Sequence, residues 1–143
     1  MKKSIIDNIR DFNRYYTNLI GVLNKDALQL NYSLTELRVV YEISNGSAIS
    51  AKDITAILSL DEGYTSRIVA KILKDEIISR EKDVNDKRLF LLRLLPKGVE
   101  LAQVIEKRSD EQIEQLLKDL TEDEVARFSE LTSELKRLLA KRE

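Results

Sequence analysis

Two clusters of basic and hydroxyl side chains lie in the middle of the chain, and both suit contact with a nucleic acid. The first cluster contains Tyr64, Thr65, Ser66, Arg67 and Lys71. Arginine forks onto guanine, a threonine methyl packs on thymine, and hydroxyl or ammonium groups bind phosphates. We therefore expect base contacts from Arg67 and Thr65, and phosphate contacts from the other three. An ordinary solvated helix surface is the alternative for a cluster that stands alone.

The second cluster is a charged turn at residues 83–88, which reads Asp-Val-Asn-Asp-Lys-Arg between two apolar runs. This pattern predicts the tip of a β-hairpin. We expect Arg88 to enter a minor groove, with Asp86 holding it in place. Lys87 and Lys82 are expected to contact phosphates. A tip kept soluble by its own ion pairs is the alternative, and it is strongest for Lys82.

The composition excludes most catalytic chemistry. The 143 residues include no Cys and no His, so disulfides, zinc fingers, thiol sensors, Cys nucleophiles and His bases are ruled out. The acidic residues near 119–124 fit the start of a helix, whose dipole favours negative charge. No phosphate-binding glycine loop is present. A metal site of carboxylates alone, or an Asp/Glu acid–base pair, is the alternative that the composition leaves open. We expect no enzymatic activity, no cofactor and no metal.

Charge is distributed unevenly along a chain whose net charge is −1. Residues 1–32 hold five basic and three acidic residues, and residues 33–98 hold eleven and ten. Residues 99–143 hold eight basic and twelve acidic residues. The acidity thus lies away from both basic clusters, although the central segment is only weakly basic for a protein that binds DNA.

Helical spacing of apolar residues covers 4–30 and most of 99–139. Three further helices are predicted to begin after the cap residues Ser33, Ser50 and Asp61. The first should end near residues 45–46, where Asn-Gly is a stop signal, and the second near residue 60. In the third, an apolar face packs inward and the first basic cluster lies on the opposite face. Residues 77–82 and 89–95 are predicted as strands, and a helix should start at Pro96.

These elements predict a mainly α-helical fold with a small β-hairpin, an α+β class. A helix-turn-helix followed by a basic hairpin is suited to dock on a duplex, with the second helix in the major groove and the hairpin tip reaching the backbone or the neighbouring minor groove. Ser50 and Lys52 start the helix that would cross the DNA backbone, where we expect them to contact DNA. Helix capping and solvation are the alternative roles of these two residues.

The order of elements resembles the MarR family of bacterial winged-helix regulators over nearly the whole chain. Two stretches carry the resemblance. Residues 61–69, followed by Ile72 and residues 77–80, are similar to the family's recognition helix and first wing strand. Residues 86–88, followed by 95–98, are similar to its wing signature of Asp-x-Arg, an apolar strand and Leu-Thr-x-x-Gly. The resemblance implies one domain over 1–143. Residues 33–98 would form the winged-helix lobe, and residues 1–32 and 99–143 the dimerisation helices.

Three positions depart from the family pattern. Glu76 stands where the family usually has a left-handed Gly, so we expect either backbone strain or a different helix exit. Glu62 brings a negative charge near the DNA phosphates, where the family often has Lys. Pro96 replaces the usual Thr cap.

The resemblance and the residues together predict a homodimeric transcriptional repressor that binds a pseudo-palindromic operator in double-stranded DNA, with half-sites roughly 34 Å apart. A small aromatic or anionic effector would relieve repression. Five aromatic residues could line its pocket, although core packing is their more frequent role: Phe12, Tyr15, Tyr16, Tyr32 and Tyr41. The effector itself cannot be named from them.

The rival interpretation is a winged-helix dimer that acts as a protein-interaction module with weak or no DNA binding. Glu62, the nearly neutral central segment and a pI near 5.7 favour it. No apolar run has the length of a membrane span, and the basic start is not followed by a signal-peptide core. We therefore expect a cytoplasmic protein with no membrane partner.

Overall fold

The computed structural model describes residues 1–27, 30–46 and 49–140, with the backbone alone for residues 24–27. In chain order, the described residues form α1 (Lys3–Ala27), α2 (Leu34–Ser44), α3 (Ala51–Leu58), α4 (Glu62–Lys74), β1 (Ile78–Lys82), β2 (Phe90–Leu94), α5 (Pro96–Leu117) and α6 (Glu122–Ala140). The predicted class, mainly helical with one hairpin, is confirmed.

The predicted helix starts are confirmed because each depends on a local hydrogen bond. The side chains of Ser33, Ser50 and Asp61 accept hydrogen bonds from backbone N–H groups in the first turns of α2, α3 and α4. Glu36 completes a capping box by accepting from the backbone N–H of Ser33. The structure gives α1 as Lys3–Ala27, and residues 28–29 of the predicted stretch over 4–30 lie outside the described residues.

Among the described residues, an apolar core holds α2, α3 and α4 against the hairpin. Its fully buried members come from every one of these elements and include Val39, Val40, Ile54, Ile72, Ile77 and Ile78. The two strands pair antiparallel, with Arg80 opposite Leu92. The backbone N–H of Leu92 also donates to the carbonyl of Ile49 at 2.8 Å, which ties the segment before α3 to the hairpin.

The helix α4 ends through a left-handed residue at Glu76, which is the strained alternative that the sequence analysis named. Glu76 has φ +60°, and Ser59, at the end of α3, has φ +52°. Pro96 is the first residue of α5, as predicted. Two residues later, a Cβ on Gly98 would lie 2.1 Å from the carbonyl oxygen of Ile77, so only glycine permits this approach of α5 to the hairpin.

The chain divides into two compact units, Met1–Ser109 and Asp110–Glu143, and the boundary falls inside α5. In the first unit, α1 leaves five large apolar side chains exposed: Ile5, Ile9, Phe12, Tyr15 and Val22. In the second unit, no side chain of the fully described α6 is buried. The division into lobes at residues 33 and 98 stays a prediction. Among the described helices, none is long and apolar enough to cross a membrane.

Candidate nucleic-acid interface

Seven residues of α4 are exposed: Glu62, Gly63, Ser66, Arg67, Ala70, Lys71 and Lys74. The face with Ile68, Val69 and Ile72 is buried in the core. Ser66 and Arg67 are therefore placed where the sequence predicted them. Lys74 is a basic residue that the sequence interpretation missed, although its position seven residues after Arg67 puts it on the same helical face.

Thr65 is a correction, because the prediction that it lies on the outer face is wrong. Its side chain is 1% exposed. The hydroxyl donates to the carbonyl of Asp61 at 3.1 Å and accepts from the hydroxyl of Thr55 at 2.9 Å. At 100° per residue, position 65 shares the inward face with 68 and 72. The side chain therefore joins α3 to α4 and has no surface for a thymine methyl.

Tyr64 and Lys71 of α4 both contact other parts of the protein. Tyr64 is half-buried and packs on the core, and the guanidinium carbon of Arg67 lies 5.7 Å from the centre of its ring. The ammonium of Lys71 is 2.7 Å from Glu36 Oε2, and it lies 5.1 Å from the centre of the Tyr32 ring. Lys71 thus has partners within the protein that its sequence neighbourhood did not reveal.

The wing, defined as β1, β2 and the turn between them, presents its charged tip to solvent. The carboxylate of Asp86 accepts from the backbone N–H of Arg88 at 3.0 Å, and that of Asp83 accepts from the N–H of Asn85. These contacts fix the backbone under Arg88 and leave its side chain exposed, together with that of Lys87. Val84 at the tip is 93% exposed.

One groove of about 340 Å³ brings residues of α3, α4 and the wing together. Its polar lining comes from all three elements and comprises Ser50, Lys52, Ser66, Arg80 and Arg88. The guanidinium carbon of Arg80 lies 4.6 Å from the centre of the Phe90 ring, across the hairpin. A cation–π contact of this kind is favourable and keeps the guanidinium beside the ring. The sequence interpretation missed Arg80, although its alternation with Lys82 along β1 was a signal.

Two residues near the groove are expected to contribute little to anion binding or to weaken it: Ser50, which is buried, and Glu62, which is negatively charged. Ser50 is 4% exposed and its hydroxyl accepts from the backbone N–H of Asp53, so the capping role is confirmed. Glu62 is exposed in the first turn of α4, next to the cap residue Asp61. Lys52 remains exposed at the start of α3. Among the described residues, no group of acidic side chains is arranged to hold a metal ion.

Comparisons with known proteins agree with this geometry. A model of the MarR family matches residues 32–90. The multiple antibiotic resistance protein MarR of Salmonella typhimurium is 31% identical over 115 residues, which span 80% of this chain and 80% of that protein. This chain belongs to the MarR family of transcriptional regulators. The HTH-type transcriptional regulator BilQ of Clostridium symbiosum is also 31% identical, over 85% of this chain and 88% of that one.

The MarR fold extends over the remaining helices as well. The crystal structure of Streptococcus pneumoniae FabT in complex with DNA is similar with a TM-score of 0.79 and 18% identity, and the match covers 94% of this chain and 99% of that chain. At this identity the likeness concerns the fold. Of the named relatives, BilQ is described as a transcriptional regulator. As a member of the MarR family, this chain combines an exposed basic helix face with a basic wing around one groove.

Proposed function

We propose that this MarR-family chain is a repressor that binds a specific site in double-stranded DNA and covers a promoter. The groove lined by α3, α4 and the wing carries the proposal, because it gathers Lys52, Arg80 and Arg88 from three elements around one concave surface. A duplex offers a continuous row of phosphates that such a surface can follow. A regulator of this family needs a surface of that kind.

In the proposed complex, α4 is the recognition helix and lies in the major groove. The wing tip enters the adjoining minor groove, so the sugar–phosphate backbone between the two grooves of DNA passes over Lys52 and Arg80. Arg67 reads a base from the outer face of α4, and Arg88 reaches into the minor groove. Ser66 and Lys87 hold neighbouring phosphates. Thr65 takes no part.

Tyr64, Lys74 and Ser50 are proposed to assist DNA binding in three different ways. Tyr64 is half-buried, but its ring lies beside the exposed guanidinium of Arg67 and can orient that side chain on a base edge. Lys74 is exposed one helical turn beyond Ala70 and can reach a phosphate at the end of α4. Ser50 acts through its cap, which orients α3 beneath the DNA backbone.

The proposed active form is a homodimer on a pseudo-palindromic operator. The large apolar side chains that α1 and α6 leave exposed support an interface built from residues 1–32 and 99–143, with residues 33–98 as the DNA-binding lobe. The FabT structure in complex with DNA supports the DNA partner. Two-fold symmetry of the protein then predicts two half-sites separated by about one helical turn, roughly 34 Å.

Repression by this dimer would be relieved in the cytoplasm by a small aromatic or anionic effector. The effector is proposed to bind between the DNA-binding lobe and the dimerisation helices, where aromatic residues of α1 such as Phe12 and Tyr15 are exposed. By changing the separation of the two recognition helices, it needs to bias the equilibrium by only about a few kcal/mol to release DNA.

The test is binding of the purified protein to the intergenic DNA upstream of its own gene at two salt concentrations, with an unrelated duplex as control. We expect tight binding that prefers the native sequence and weakens steeply with salt. The variant Arg88→Ala should lose affinity for the native duplex while its melting temperature stays unchanged, because the side chain is exposed. An intact dimer with no preference over the control duplex would instead favour a protein-interaction module.

A further inference from the structure

Glu36 is a buried carboxylate whose burial the capping box does not explain. Its side chain is 11% exposed, and its Oε1 accepts from the backbone N–H of Ser33 at 3.0 Å. A capping box needs one oxygen and works well at the surface. A buried carboxylate without a cation would be costly, so the site must contain a positive partner.

That partner is Lys71 of α4, which lies 35 positions along the chain. Its ammonium donates a hydrogen bond to Glu36 Oε1 at 3.0 Å and forms an ion pair with Oε2 at 2.7 Å. The buried Oε2 accepts no hydrogen bond of its own, so the charge of Lys71 is what compensates it. Burial raises the pKa of Glu36, but the hydrogen bonds from Lys71 and Ser33 outweigh it and hold the pKa below its ordinary value. The charged pair is therefore the stable form at neutral pH.

The same flank of α4 is attached at a second point. Asp75 is the C-cap residue of α4, and its carboxylate accepts a hydrogen bond from the Tyr32 hydroxyl at 2.9 Å. The centre of the Tyr32 ring lies 5.1 Å from the Lys71 ammonium. The ammonium of Lys97, in the first turn of α5, donates to the backbone carbonyl of Asp75 at 2.9 Å. One side of α4 is thus bonded to the residues before α2 and to α5.

The hydrogen bonds and the ion pair of Lys71, Tyr32 and Lys97 restrict the position and rotation of α4, which apolar packing alone does not fix. Packing of Ile68, Val69 and Ile72 fixes which side of α4 faces the core, but such contacts are not directional, and a helix can slide or rotate by a fraction of an ångström at little cost. Charge-assisted hydrogen bonds are directional and fix both position and rotation. Base readout by Arg67 depends on this accuracy, because a binding group misplaced by about 1 Å loses much of its effect.

We propose that Glu36, Lys71 and Tyr32 form a positioning cluster that sets the orientation of α4, and that Lys71 controls DNA affinity without touching DNA. The inference rests on the proposed function and replaces the phosphate contact that the sequence suggested for Lys71. The Lys71 side chain is 46% exposed, but its ammonium is held by Glu36 and lies against the Tyr32 ring. Arg67 and Lys74 are exposed without a contact to α2 of this kind among the described residues.

The experiment measures operator affinity against salt concentration for the wild-type dimer and for three variants: Lys71→Met, Glu36→Gln and the double variant. Lys71→Met leaves a buried carboxylate without its cation, so α4 should shift, and affinity should fall about 2- to 30-fold. The slope of affinity against salt should stay at the wild-type value. In the double variant the unpaired charge is gone and the amide still accepts from Ser33, so most of the lost affinity should return.

Lys87→Met is the matched control, since it removes a lysine that is proposed to touch phosphate. In a dimer it should make the salt slope shallower by roughly 1.8, about 0.9 for each contact. Melting temperatures of all variants, measured in the same buffers, ensure that binding is compared on folded protein. A double variant as weak as Lys71→Met, with the shallower slope of Lys87→Met, would show that Lys71 binds phosphate and would overturn the positioning role.

Other outcomes are equally decisive. Unchanged affinity in Lys71→Met would show that α4 does not need the cluster, and would refute the inference while leaving the proposed function intact. A wild-type protein that binds no duplex in a salt-dependent way would refute the proposed function, and the inference with it.

Discussion

At the scale of single residues, Glu76 has a strained left-handed backbone conformation that a glycine at this position would relieve. Its N–H donates to the carbonyl of Leu73, and the N–H of Ile77 donates to that of Ile72, which is the Schellman pattern at the end of α4. The residue between them must be left-handed, and Glu76 has φ +60°. A non-glycine residue in this conformation costs about 1–2 kcal/mol.

Glu76→Gly should therefore raise the free energy of unfolding by about 1 kcal/mol, the strain less the extra chain entropy of glycine. Urea denaturation measures the change. Glu76→Ala is the control, because alanine meets the same steric conflict and should give no such gain. Equal stabilisation by both substitutions would point to the negative charge of Glu76 rather than to its backbone.

The residue-scale contacts that the sequence predicted are those with partners three or four positions away. Ser33 with Glu36 and the cap of Ser50 are of this kind, and both are present. Lys71 pairs with a residue 35 positions away, which no local pattern encodes. Thr65 was placed on the wrong face although helical geometry could have corrected it, because at 100° per residue position 65 falls on the same side as Ile68 and Ile72. Its hydrogen bond with Thr55 of α3 was not visible in the sequence.

At the scale of elements, the start of α5 is fixed by a close approach to the hairpin. A Cβ on Gly98 would lie 2.1 Å from the carbonyl oxygen of Ile77, which is backbone and cannot turn aside. The same carbonyl accepts from the N–H of Leu95 at 2.9 Å. The junction of β1 with α5 thus tolerates no side chain at position 98.

Gly98→Ala should lower the free energy of unfolding by about 1–3 kcal/mol, because α5 must move away from β1 to admit the methyl group. Gly21→Ala is the control: a Cβ there meets nothing within 4 Å, and alanine favours a helix by up to about 1 kcal/mol. We expect opposite signs in thermal or urea denaturation of the two variants. Two changes of the same sign would contradict the close approach.

The ion pair of Glu36 in α2 with Lys71 in α4 should make the stability of the fold depend on pH in the acid range. The folded state holds the pKa of Glu36 below its ordinary value of 4.5, since the hydrogen bonds from Lys71 and Ser33 overcome the effect of burial. A depressed carboxyl pKa contributes stability above the unfolded pKa, and that contribution is lost as pH falls through the folded pKa. Glu36→Gln should therefore be less stable than the wild type at neutral pH, with a gap that narrows below about pH 4.5.

Unfolding curves of the two proteins between pH 7 and strongly acid pH check this sign. A gap that stays constant with pH would mean that Glu36 stabilises the fold through its shape and its cap rather than through its charge.

Element boundaries followed from the sequence wherever a cap or a turn residue marks them, as at Asp61, Pro96 and the wing tip. The apolar spacing of the first helix runs to residue 30 without a stop signal, so the sequence marks no boundary there. The bond between Leu92 and Ile49 was also not foreseen. Such a single bridge joins distant segments through the backbone, and backbone groups leave no trace in the pattern of side chains.

At the scale of the whole molecule, charge and apolar surface are arranged for different partners. The acidic surplus falls in residues 99–143, while the basic groove is formed by residues before them. In α6, four leucines follow helical spacing and are each about half exposed: Leu131, Leu135, Leu138 and Leu139. A stripe of that kind on a helix with no buried described residue is an interface that a second copy of the chain is proposed to cover.

If the second copy covers this stripe, stability depends on concentration. A tenfold increase in protein should favour the dimer by about 1.4 kcal/mol and raise the melting temperature. Leu135→Glu places a charge in the proposed interface and should give a monomer of lower melting temperature in ultracentrifugation and thermal scans. Ser133→Glu places the same charge on the opposite side of α6, since two positions differ by 200°, and should leave a dimer. A wild-type protein that is a monomer, with a melting temperature independent of concentration, would contradict this interface. Each operator half-site would then bind its subunit separately, and DNA binding would not depend on the spacing of the half-sites.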